Sequence, residues 1–441
     1  TVCPVEVQNE FDEGLKTRKA IFKPFPEAVP PAYTIDFNSC IRCGNCASKC
    51  PVKAINLEDK ERTVVEEFGA IIVATGCDLL PLDNYSFYLP ENPNVITALQ
   101  LERIIVNELA AGKPLRKRDG SPVKRVAFIL CVGSRDPERG VPYCSKICCP
   151  YSVKQAVILK KYSPTLDVWI FHNDMRMSGR GFEELYSEAR ELGIKFVRGK
   201  PGELLEVENS ILVRAEDKDS NLIIEGLFDL VVLCTAIVPS RGTREIAGKI
   251  GLPLGSDYFI AEKHPKLSPV ETFKPGVFAA GTALGPKDIR DSIADAQAAA
   301  SLTFNLLSKS YLKLDPIKPV LKEELCTNCG LCAKVCPLNA IEMDSKPFVN
   351  LLACNGCGAC AAECLTKAIQ IANYTEDALL AQVKGILSVE KAVIAFVGDG
   401  VAYSALDSAG VARIKYPALL RVVRVPSTAI VSVKLMFECL A

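Results

Sequence analysis

The sequence predicts an α/β protein that carries ferredoxin-like (α+β) domains, and three features of its 441 residues indicate this class. Apolar, β-branched runs alternate with amphipathic stretches between residues 123 and 236, which is the pattern of parallel strands joined by helices. Three cysteine runs share the spacing C-x-x-C-x-x-C-x-x-x-C, which is typical of iron–sulfur domains. Two further apolar runs end in glycine turns, where the backbone can approach a cofactor closely.

The composition narrows the class of protein and its compartment. Lys plus Arg and Asp plus Glu both number 52, so no nucleic acid or other polyanionic partner is indicated. The longest apolar runs, such as 230–238, are too short to span a bilayer, and the opening residues show no signal peptide. Twenty cysteines in a large chain favour metal clusters in a reducing compartment over secreted disulfides. We therefore expect a cytoplasmic protein of an anaerobe. The opening on Thr1 predicts that the chain begins inside a longer polypeptide or after processing.

Two of the cysteine runs follow one another between residues 326 and 364. In paired runs, three closely spaced thiolates hold one cluster and the fourth reaches across to the other. The spacing therefore predicts two 4Fe-4S clusters. The first ligand set is Cys326, Cys329, Cys332 and Cys364, and the second is Cys336, Cys354, Cys357 and Cys360. Structural zinc is the alternative, but zinc sites usually pair two short C-x-x-C hooks.

The third run, Cys40, Cys43, Cys46 and Cys50, has no partner run in this chain. Because Cys3 lies in a segment that looks like the end of such a run, we predict it as the fourth ligand beside Cys40, Cys43 and Cys46. Cys50 would then belong to a fifth cluster whose other ligands lie in missing or partner residues. The alternative is a single cluster held by the four local cysteines.

A fourth group of cysteines follows the strand predicted over 123–130. A nicotinamide-binding strand would lead into G-x-G-x-x-G, but this strand leads into Cys131-Val-Gly-Ser-Arg-Asp. Cys144, Cys148 and Cys149 come next. The spacing alone is compatible with a cluster and with redox-active thiols.

Two glycine turns are candidate flavin contacts. The run 64–76 predicts a buried parallel strand that ends in Ala-Thr-Gly, and the strand near 277–280 leads into a second turn and an alanine-rich helix. The candidate residues are Ala74, Thr75, Gly76, Gly281, Thr282, Ala283, Gly285, Pro286, Lys287, Asp288 and Ile289. The helix N-terminus can face a flavin carbonyl. Lys287 could stabilise a reduced, anionic flavin, and a surface lysine at a helix start is the alternative.

Taken together, these motifs resemble the A subunits of heterodisulfide reductases, iron–sulfur flavoproteins of methanogenic archaea and other anaerobes. The resemblance covers roughly residues 1–376 and includes Cys3-Pro-Val-Glu-Val, Thr17-Arg-Lys-Ala-Ile, Tyr143-Cys-Ser-Lys-Ile-Cys-Cys and Gly285-Pro-Lys-Asp-Ile. It implies a thioredoxin-reductase-like flavoprotein core with two dinucleotide folds, FAD as the flavin, and a cluster on the Cys131 set. The family's FAD-binding glycine motif lies upstream of this chain, so binding of FAD by this chain alone is not implied.

Residues 391–441 resemble the small iron–sulfur protein that links hydrogenase to this reductase, notably at Ala409-Gly-Val-Ala-Arg and Val422-Val-Arg-Val-Pro. That protein carries cysteines in its opening loop and after Val-Pro, where this chain has Val397–Ala402 and Ser427. We therefore predict a docking domain without a 2Fe-2S site. The predicted domains are 1–62 (inserted ferredoxin-like, partial), 63–122 with 237–312 (FAD-binding, partial), 123–236 (second dinucleotide type), 313–376 (two-cluster ferredoxin) and 377–441 (docking).

The resemblance implies an oxidoreductase component that bifurcates electrons, sending them to ferredoxin and to a disulfide-reducing partner. The alternative is a non-bifurcating iron–sulfur relay or scaffold component of another anaerobic reductase. Expected partners are disulfide-reducing subunits, a donor of the hydrogenase or formate dehydrogenase type, ferredoxin, and a companion chain carrying the missing N-terminal part, in a dimer of a multi-subunit complex. Four complete 4Fe-4S clusters within the chain correspond to about 16 iron atoms.

Overall fold

The computed structural model describes residues 2–25, 27–309, 311 and 315–440. The chain divides into two compact units. The first comprises Thr1–Gly248, Pro253–Glu262 and Ala279–Ala299, and the second comprises Lys249–Leu252, Lys263–Phe278 and Ala300–Ala441.

A five-stranded parallel sheet forms the centre of the first unit. Its strands are β1 (Val95–Thr97), β2 (Arg125–Val132), β3 (Asp167–His172), β4 (Lys195–Arg198) and β5 (Leu230–Thr235). Their spatial order is β4-β3-β2-β5-β1, and every neighbouring pair is parallel. The α/β class is therefore confirmed in this unit.

Three helices connect these strands. They are α1 (Ala98–Ile104), which continues as a π-helix over Ile105–Leu109, α2 (Cys148–Tyr162) and α3 (Phe182–Glu191). A further helix, α4 (Ile289–Leu307), begins later in the chain. Thr97 caps α1, because its hydroxyl accepts from the Gln100 N–H at 3.1 Å while the Gln100 side chain accepts from the Thr97 N–H at 2.9 Å.

Strand β2 is buried on both faces, as a central parallel strand should be. Val126, Phe128 and Leu130 pack in the core that contains Val153 and Leu159 of α2. Ala127 and Ile129 point to the opposite core, which contains Phe171 and Phe228. This burial holds the end of β2, and therefore Cys131, rigidly against the start of α2.

The remaining strands lie outside this sheet. They are Glu6–Gln8, Thr17–Lys19, Ile21–Phe22, Thr34–Ile35, Ile71–Val73, Cys77–Leu79, Glu203–Val207, Ser210–Asp217, Leu222–Phe228, Ile237–Pro239, Glu262–His264, Ser268–Thr272, Val277–Ala279, Pro319–Leu321, Ile341–Met343, Pro347–Val349, Ile369–Ile371, Val393–Gly398 and Leu420–Val425. The remaining helices are Asn45–Lys49, Arg241–Ile250, Leu331–Lys334, Ala359–Ala362, Glu376–Val389, Val401–Val411 and Val433–Leu440. Residues 203–228 form an antiparallel meander that the alternation of strands and helices did not indicate.

The strand expected over 64–76 is wrong for most of its length. Only Ile71–Val73 is a strand, and Val64, Val65 and Phe68 are 67%, 88% and 77% exposed. An apolar run forms a strand only where a neighbour accepts its backbone hydrogen bonds. The described residues provide such a neighbour at Val73, whose carbonyl accepts from the Ala280 N–H at 3.0 Å.

The second unit contains a ferredoxin-like domain of short antiparallel strand pairs. Pro319–Leu321 pairs with Ile369–Ile371, and Ile341–Met343 pairs with Pro347–Val349. Farther along, Val393–Gly398 and Leu420–Val425 are parallel and are joined by the helix Val401–Val411. Among the described residues, no helix is both long enough and apolar enough to cross a membrane.

Candidate iron–sulfur and flavin sites

The first predicted ligand set of the two-cluster domain surrounds one small space. Cys326, Cys329, Cys332 and Cys364 line a cavity of about 350 Å³. Gly330, at φ +75°, provides the left-handed turn from which the short helix Leu331–Lys334 begins. The structure thus brings the distant Cys364 to the three cysteines of the first run.

The second set surrounds a matching cavity of about 330 Å³, lined by Cys336, Cys354, Cys357 and Cys360. The Cys336 sulfur accepts from the Ala340 N–H at 3.2 Å, and the Cys354 sulfur accepts from the Gly356 N–H at 3.4 Å. Such N–H groups favour thiolates and the sulfides of a cluster. A Cβ at Gly356 would collide with the carbonyl oxygen of Ile317, so this turn requires glycine.

Burial and neighbouring cysteines raise the pKa of Cys360 to about 12. Metal ligation requires the thiolate, so a positively charged centre must offset this burial. An iron–sulfur cluster would supply that charge at the same point where four sulfurs converge. The chemistry of the donor set therefore fits a cluster.

The third cavity, of about 340 Å³, is lined by Cys3, Cys40, Cys43 and Cys46. Cys50 does not line it, and the Cys50 sulfur instead accepts from the Ala54 N–H at 3.3 Å. This arrangement matches the grouping that includes Cys3 and disfavours a single cluster held by the four local cysteines.

The spacing of the cysteine side chains bears on the choice between a cluster and a single ion. In a tetrahedral zinc site with Zn–S bonds of about 2.3 Å, the sulfurs are about 3.8 Å apart. Within 2–25, 27–309, 311 and 315–440, no three Cys, His, Asp or Glu side chains are close enough to share one metal ion. This wider spacing at the three cavities favours a multi-atom cluster over zinc.

The Cys131 set lies where β2 ends and α2 begins. Cys131, Cys148 and Cys149 are all at most 2% exposed, and the Cys148 thiol forms hydrogen bonds with both of the others. The hydrogen bond from Cys148 lowers the pKa of Cys131 to about 7. Cys144 is half-buried, and its sulfur accepts from the Lys146 N–H at 3.3 Å. The loss of the glycine fingerprint thus coincides with a dense group of thiols.

The two glycine turns lie side by side in the first unit, because the Ala280 N–H donates to the Val73 carbonyl at 3.0 Å. This bond places Ala74–Gly76 next to Gly281–Ala283. Gly76, at φ +76°, has open space where a side chain would lie. Thr75 is fixed by a hydroxyl contact of 2.6 Å with Thr243.

Lys287 is not the free surface lysine of the alternative interpretation. It forms an ion pair with Asp295, and the two side chains are 21% and 15% exposed. Asp295 also accepts from the Gly281 N–H at 3.2 Å. The pair therefore ties both ends of the second turn to α4.

Two large clefts meet along α2. One, of about 1,360 Å³, reaches Cys77–Leu79 directly after the first turn, and the other, of about 1,690 Å³, reaches Lys287–Arg290. Both are lined by Ile147, Tyr151 and Lys154. We call these two adjoining clefts together the α2 groove. One cleft begins directly after the first turn, at Cys77, and the other begins at the end of the second turn, at Lys287.

Polar groups in the α2 groove were not identified from the sequence. Lys154 is paired with Glu102 at 2.7 Å, and the Gln155 amide donates to Glu102 at 2.8 Å. Gln155 Oε1 is buried and has no hydrogen-bond partner among the described residues. This atom is enclosed by protein, although the residue as a whole lines one of the clefts. No sequence signal marks these residues, which are isolated polar positions in helices.

Three family models match the chain. They describe a 4Fe-4S binding domain at residues 33–56, a 4Fe-4S dicluster domain at 318–365, and the delta subunit of methyl-viologen-reducing hydrogenase at 393–441. These matches confirm the ferredoxin-type domains. With the parallel sheet of the first unit, they define a mixed α/β iron–sulfur protein.

The chain is a homologue of the A subunits of heterodisulfide reductases, which confirms the resemblance. The A subunit of H(2):CoB-CoM heterodisulfide,ferredoxin reductase from Methanothermobacter thermautotrophicus is 42% identical over 347 residues, 78% of this chain and 53% of the relative. The iron–sulfur A subunit of CoB–CoM heterodisulfide reductase from Methanocaldococcus jannaschii is 42% identical over 88% of this chain and 61% of the relative. The A subunit of ferredoxin/F(420)H(2)-dependent CoB-CoM heterodisulfide reductase from Methanosarcina acetivorans is 38% identical over 100% of this chain and 56% of the relative. The chain thus spans about half the length of these relatives.

Among solved structures, the thioredoxin reductase of T. acidophilum has a TM-score of 0.38 and 14% identity, over 54% of this chain and 66% of that one. The thioredoxin reductase of Lactococcus lactis has a TM-score of 0.35 and 18% identity over the same shares.

Proposed function

We propose that the chain is the electron-transferring, flavin-binding part of a heterodisulfide reductase. One observation supports this most directly: the α2 groove and the Cys131 set share one helix. Cys148 and Cys149 open α2, and Tyr151, one turn later, lines both clefts and interacts electrostatically with both thiols. A flavin in the groove and a cluster on these cysteines would therefore be separated by little more than one side chain.

The residues that would hold FAD are those of the two turns and the groove. The turn Ala74–Gly76 offers backbone without an obstructing side chain, and the N-terminus of α4 follows the turn Gly281–Asp288. Lys154 and Gln155 provide donors and acceptors between them. When bound, FAD would accept electrons in pairs from a donor and would pass them singly to the clusters.

We propose four complete clusters within this chain. One is held by the cysteine set that includes Cys3, one by the set that includes Cys131, and two by the sets between Cys326 and Cys364. Cys50 contributes to a fifth cluster that is shared with residues outside this chain. Low-potential ferredoxin-type clusters lie near about −400 mV, which suits transfer to ferredoxin.

Electron bifurcation is the finer proposal. An electron pair would be divided, one electron passing to ferredoxin and one to a partner that reduces a disulfide. The names of several relatives support this, because they give both a heterodisulfide and ferredoxin as substrates. The missing nicotinamide fingerprint after β2 also supports it, because the second dinucleotide fold carries thiols in place of a hydride donor.

The donor and the docking partner are proposed from two comparisons. Three relatives are named for H(2), and one of them also for formate, which supports a donor of the hydrogenase or formate dehydrogenase type. The match of residues 393–441 to the delta component of a hydrogenase supports a docking role for this domain. Its missing cysteines support docking without electron transfer.

The decisive experiment uses the native complex purified without oxygen. We expect one FAD and about 16 iron atoms per copy of this region, four for each complete cluster, apart from the shared fifth cluster. We also expect ferredoxin reduction only while a heterodisulfide is being reduced. Ferredoxin reduction that proceeds at full rate without the disulfide would rule out bifurcation.

The relay alternative is favoured by one observation, namely the exposure of Val65 and Phe68, which precede the first flavin turn in the chain. Without a covering segment, this turn would be poorly supported and would hold a flavin weakly. Stoichiometric FAD in the complex would exclude a relay that works without flavin.

A further inference from the structure

Strand β2 ends at Cys131 in an unusual backbone conformation. Cys131 has φ of +60°, the left-handed region that is unfavourable for every residue except glycine. Such a residue persists only where its surroundings hold it in place. Since the thiol of Cys131 meets Cys148 from this position, whatever fixes the backbone also aims the sulfur.

Lys200 provides that fixation from a distant part of the sequence. Its ammonium group donates to the Cys131 carbonyl oxygen at 3.1 Å across 69 residues of chain. The same carbonyl also accepts from the Ser134 N–H at 3.3 Å. Two donors on one carbonyl define the peptide plane that follows Cys131.

The Lys200 side chain is itself held in place. Its ammonium group lies 5.9 Å from the centre of the Tyr88 ring, and the Tyr88 hydroxyl donates to the carbonyl of Pro201, the next residue, at 2.6 Å. Tyr88 is only 1% exposed, so it acts as a rigid support. The charge of Lys200 is therefore directed inward, toward the end of β2.

The charged groups around Lys200 leave its positive charge available to the Cys131 set. Asp136 and the Cys131 thiol attract it, whereas Arg139 repels it. Asp136 is also engaged by the Tyr85 hydroxyl at 2.9 Å and the Arg139 N–H at 3.1 Å. The nearby Arg135 also attracts the Cys131 thiol, but it is directly paired with Asp174 at 2.8 Å.

We infer that Lys200 is a positioning residue for the cluster on Cys131, Cys144, Cys148 and Cys149, which it supports by fixing the Cys131 carbonyl and by raising the cluster's reduction potential. The inference rests on the proposed cluster. One-electron reduction adds a negative charge to a cluster that already carries four thiolates. A buried cation beside one ligand stabilises the reduced form, and the low dielectric of the site strengthens this attraction.

The test compares Lys200→Met, which keeps the aliphatic stem but removes the charge, with Lys200→Arg, which keeps the charge and the donor. Lys161→Met on the exposed side of α2 is the matched control, because Lys161 is 58% exposed and pairs with Glu188 on α3. The holo-complex is titrated with reductant and followed by EPR. The signal of this cluster is the one that disappears in Cys149→Ser.

In Lys200→Met we expect the midpoint of this signal to become more negative. The reduced fraction at the wild-type midpoint should fall from one half to below about one fifth. Lys200→Arg and Lys161→Met should keep the wild-type midpoint. Loss of this cluster's iron in Lys200→Met but not in Lys200→Arg would also support the inference.

An unchanged midpoint with full iron content in Lys200→Met would overturn the inference. Equal loss of iron in Lys200→Met and Lys200→Arg would also overturn it, because it would show a requirement for lysine packing rather than charge. A Cys149→Ser complex that loses no EPR signal would instead contradict the proposed cluster itself, so the two failures are distinguishable.

Discussion

Asp295 holds Lys287 and the Gly281 N–H with the same carboxylate, one by an ion pair and the other by a hydrogen bond of 3.2 Å. This contact closes the turn that faces the α2 groove. Lys287 is thus a structural part of the proposed flavin site as well as a charge near it. The ion pair also means that its positive charge is partly balanced before a flavin binds.

We expect Asp295→Asn to weaken FAD retention more than Lys287→Met does. The aspartate substitution leaves the partly buried Lys287 ammonium without its partner and weakens the Gly281 contact, at a cost on the order of 1–3 kcal/mol. That range corresponds to roughly five- to 150-fold in affinity. FAD released on dilution of the purified complex measures the effect. Lys263→Met, at an exposed pair with Glu271, is the control and should leave FAD content unchanged.

In the two-cluster domain, each predicted ligand set takes one cysteine from the other run, so substitution of that cysteine should remove one specific cluster. Cys364→Ser should remove the cluster of Cys326, Cys329 and Cys332, although it lies in the other run, because Cys364 lines that cavity. Cys336→Ser should remove the other cluster. Each should lower the iron content by about four atoms. Cys439→Ser is the matched control. If Cys364→Ser abolished the signal that Cys354→Ser abolishes, the assignment of the two sets would be wrong.

The side chain of Asp12 connects the segment that follows Cys3 to α1 and to the π-helix that continues it, and we expect this contact to stabilise the segment. Its carboxylate is buried and accepts from Arg103 at 3.0 Å and from Asn107 at 2.7 Å. Asp12→Ala would remove the acceptor of two partly buried donors, so we expect a loss of roughly 1–2 kcal/mol and faster amide hydrogen exchange in residues 6–22. The exposed Asp59→Ala should behave as wild type. Unchanged exchange in Asp12→Ala would show that the contact does not hold this segment.

We expect the free energy of unfolding to fall on acidification because of His172. Burial lowers its pKa below the ordinary 6.5, and its Nδ1 has no hydrogen-bond partner among the described residues. Because the folded-state pKa lies below the unfolded one, the unfolded state binds a proton first as pH falls below about 6.5, and stability is lost from that point downward. The thermal midpoint of His172→Phe should depend less on pH between 7 and 5. If the thermal midpoint of His172→Phe depended on pH as steeply as that of the wild type, His172 would be excluded as the source of this pH dependence. His264→Gln is the control.

Short-range spacing predicted strands and cysteine groups wherever these are encoded locally, and the cysteines of three predicted groups line common cavities. Three cysteines two residues apart are placed together by one turn, and a β-branched run such as 125–132 forms a buried strand in most contexts. The crossed positions of Cys336 and Cys364 followed from the same rule. For Cys3, the sequence offered only a candidate, and the cavity with Cys40 supplied the geometry.

The sequence failed where a residue's state depends on distant neighbours. The run 64–70 is apolar enough for a strand, yet it is exposed because no described strand lies beside it. Lys287 looked like a surface lysine or a free cation until Asp295, eight residues farther on, was seen to pair with it.

The sequence by itself therefore determined the α/β class and the ferredoxin-type domains, because these depend on local periodicity and spacing. Only the tertiary structure decided the α2 groove, its Lys154, Gln155 and Glu102, and the contact of Lys200 with Cys131. Each of these joins side chains from separate elements, and their proximity is fixed by how β2, β4 and the helices pack rather than by any pattern along the chain.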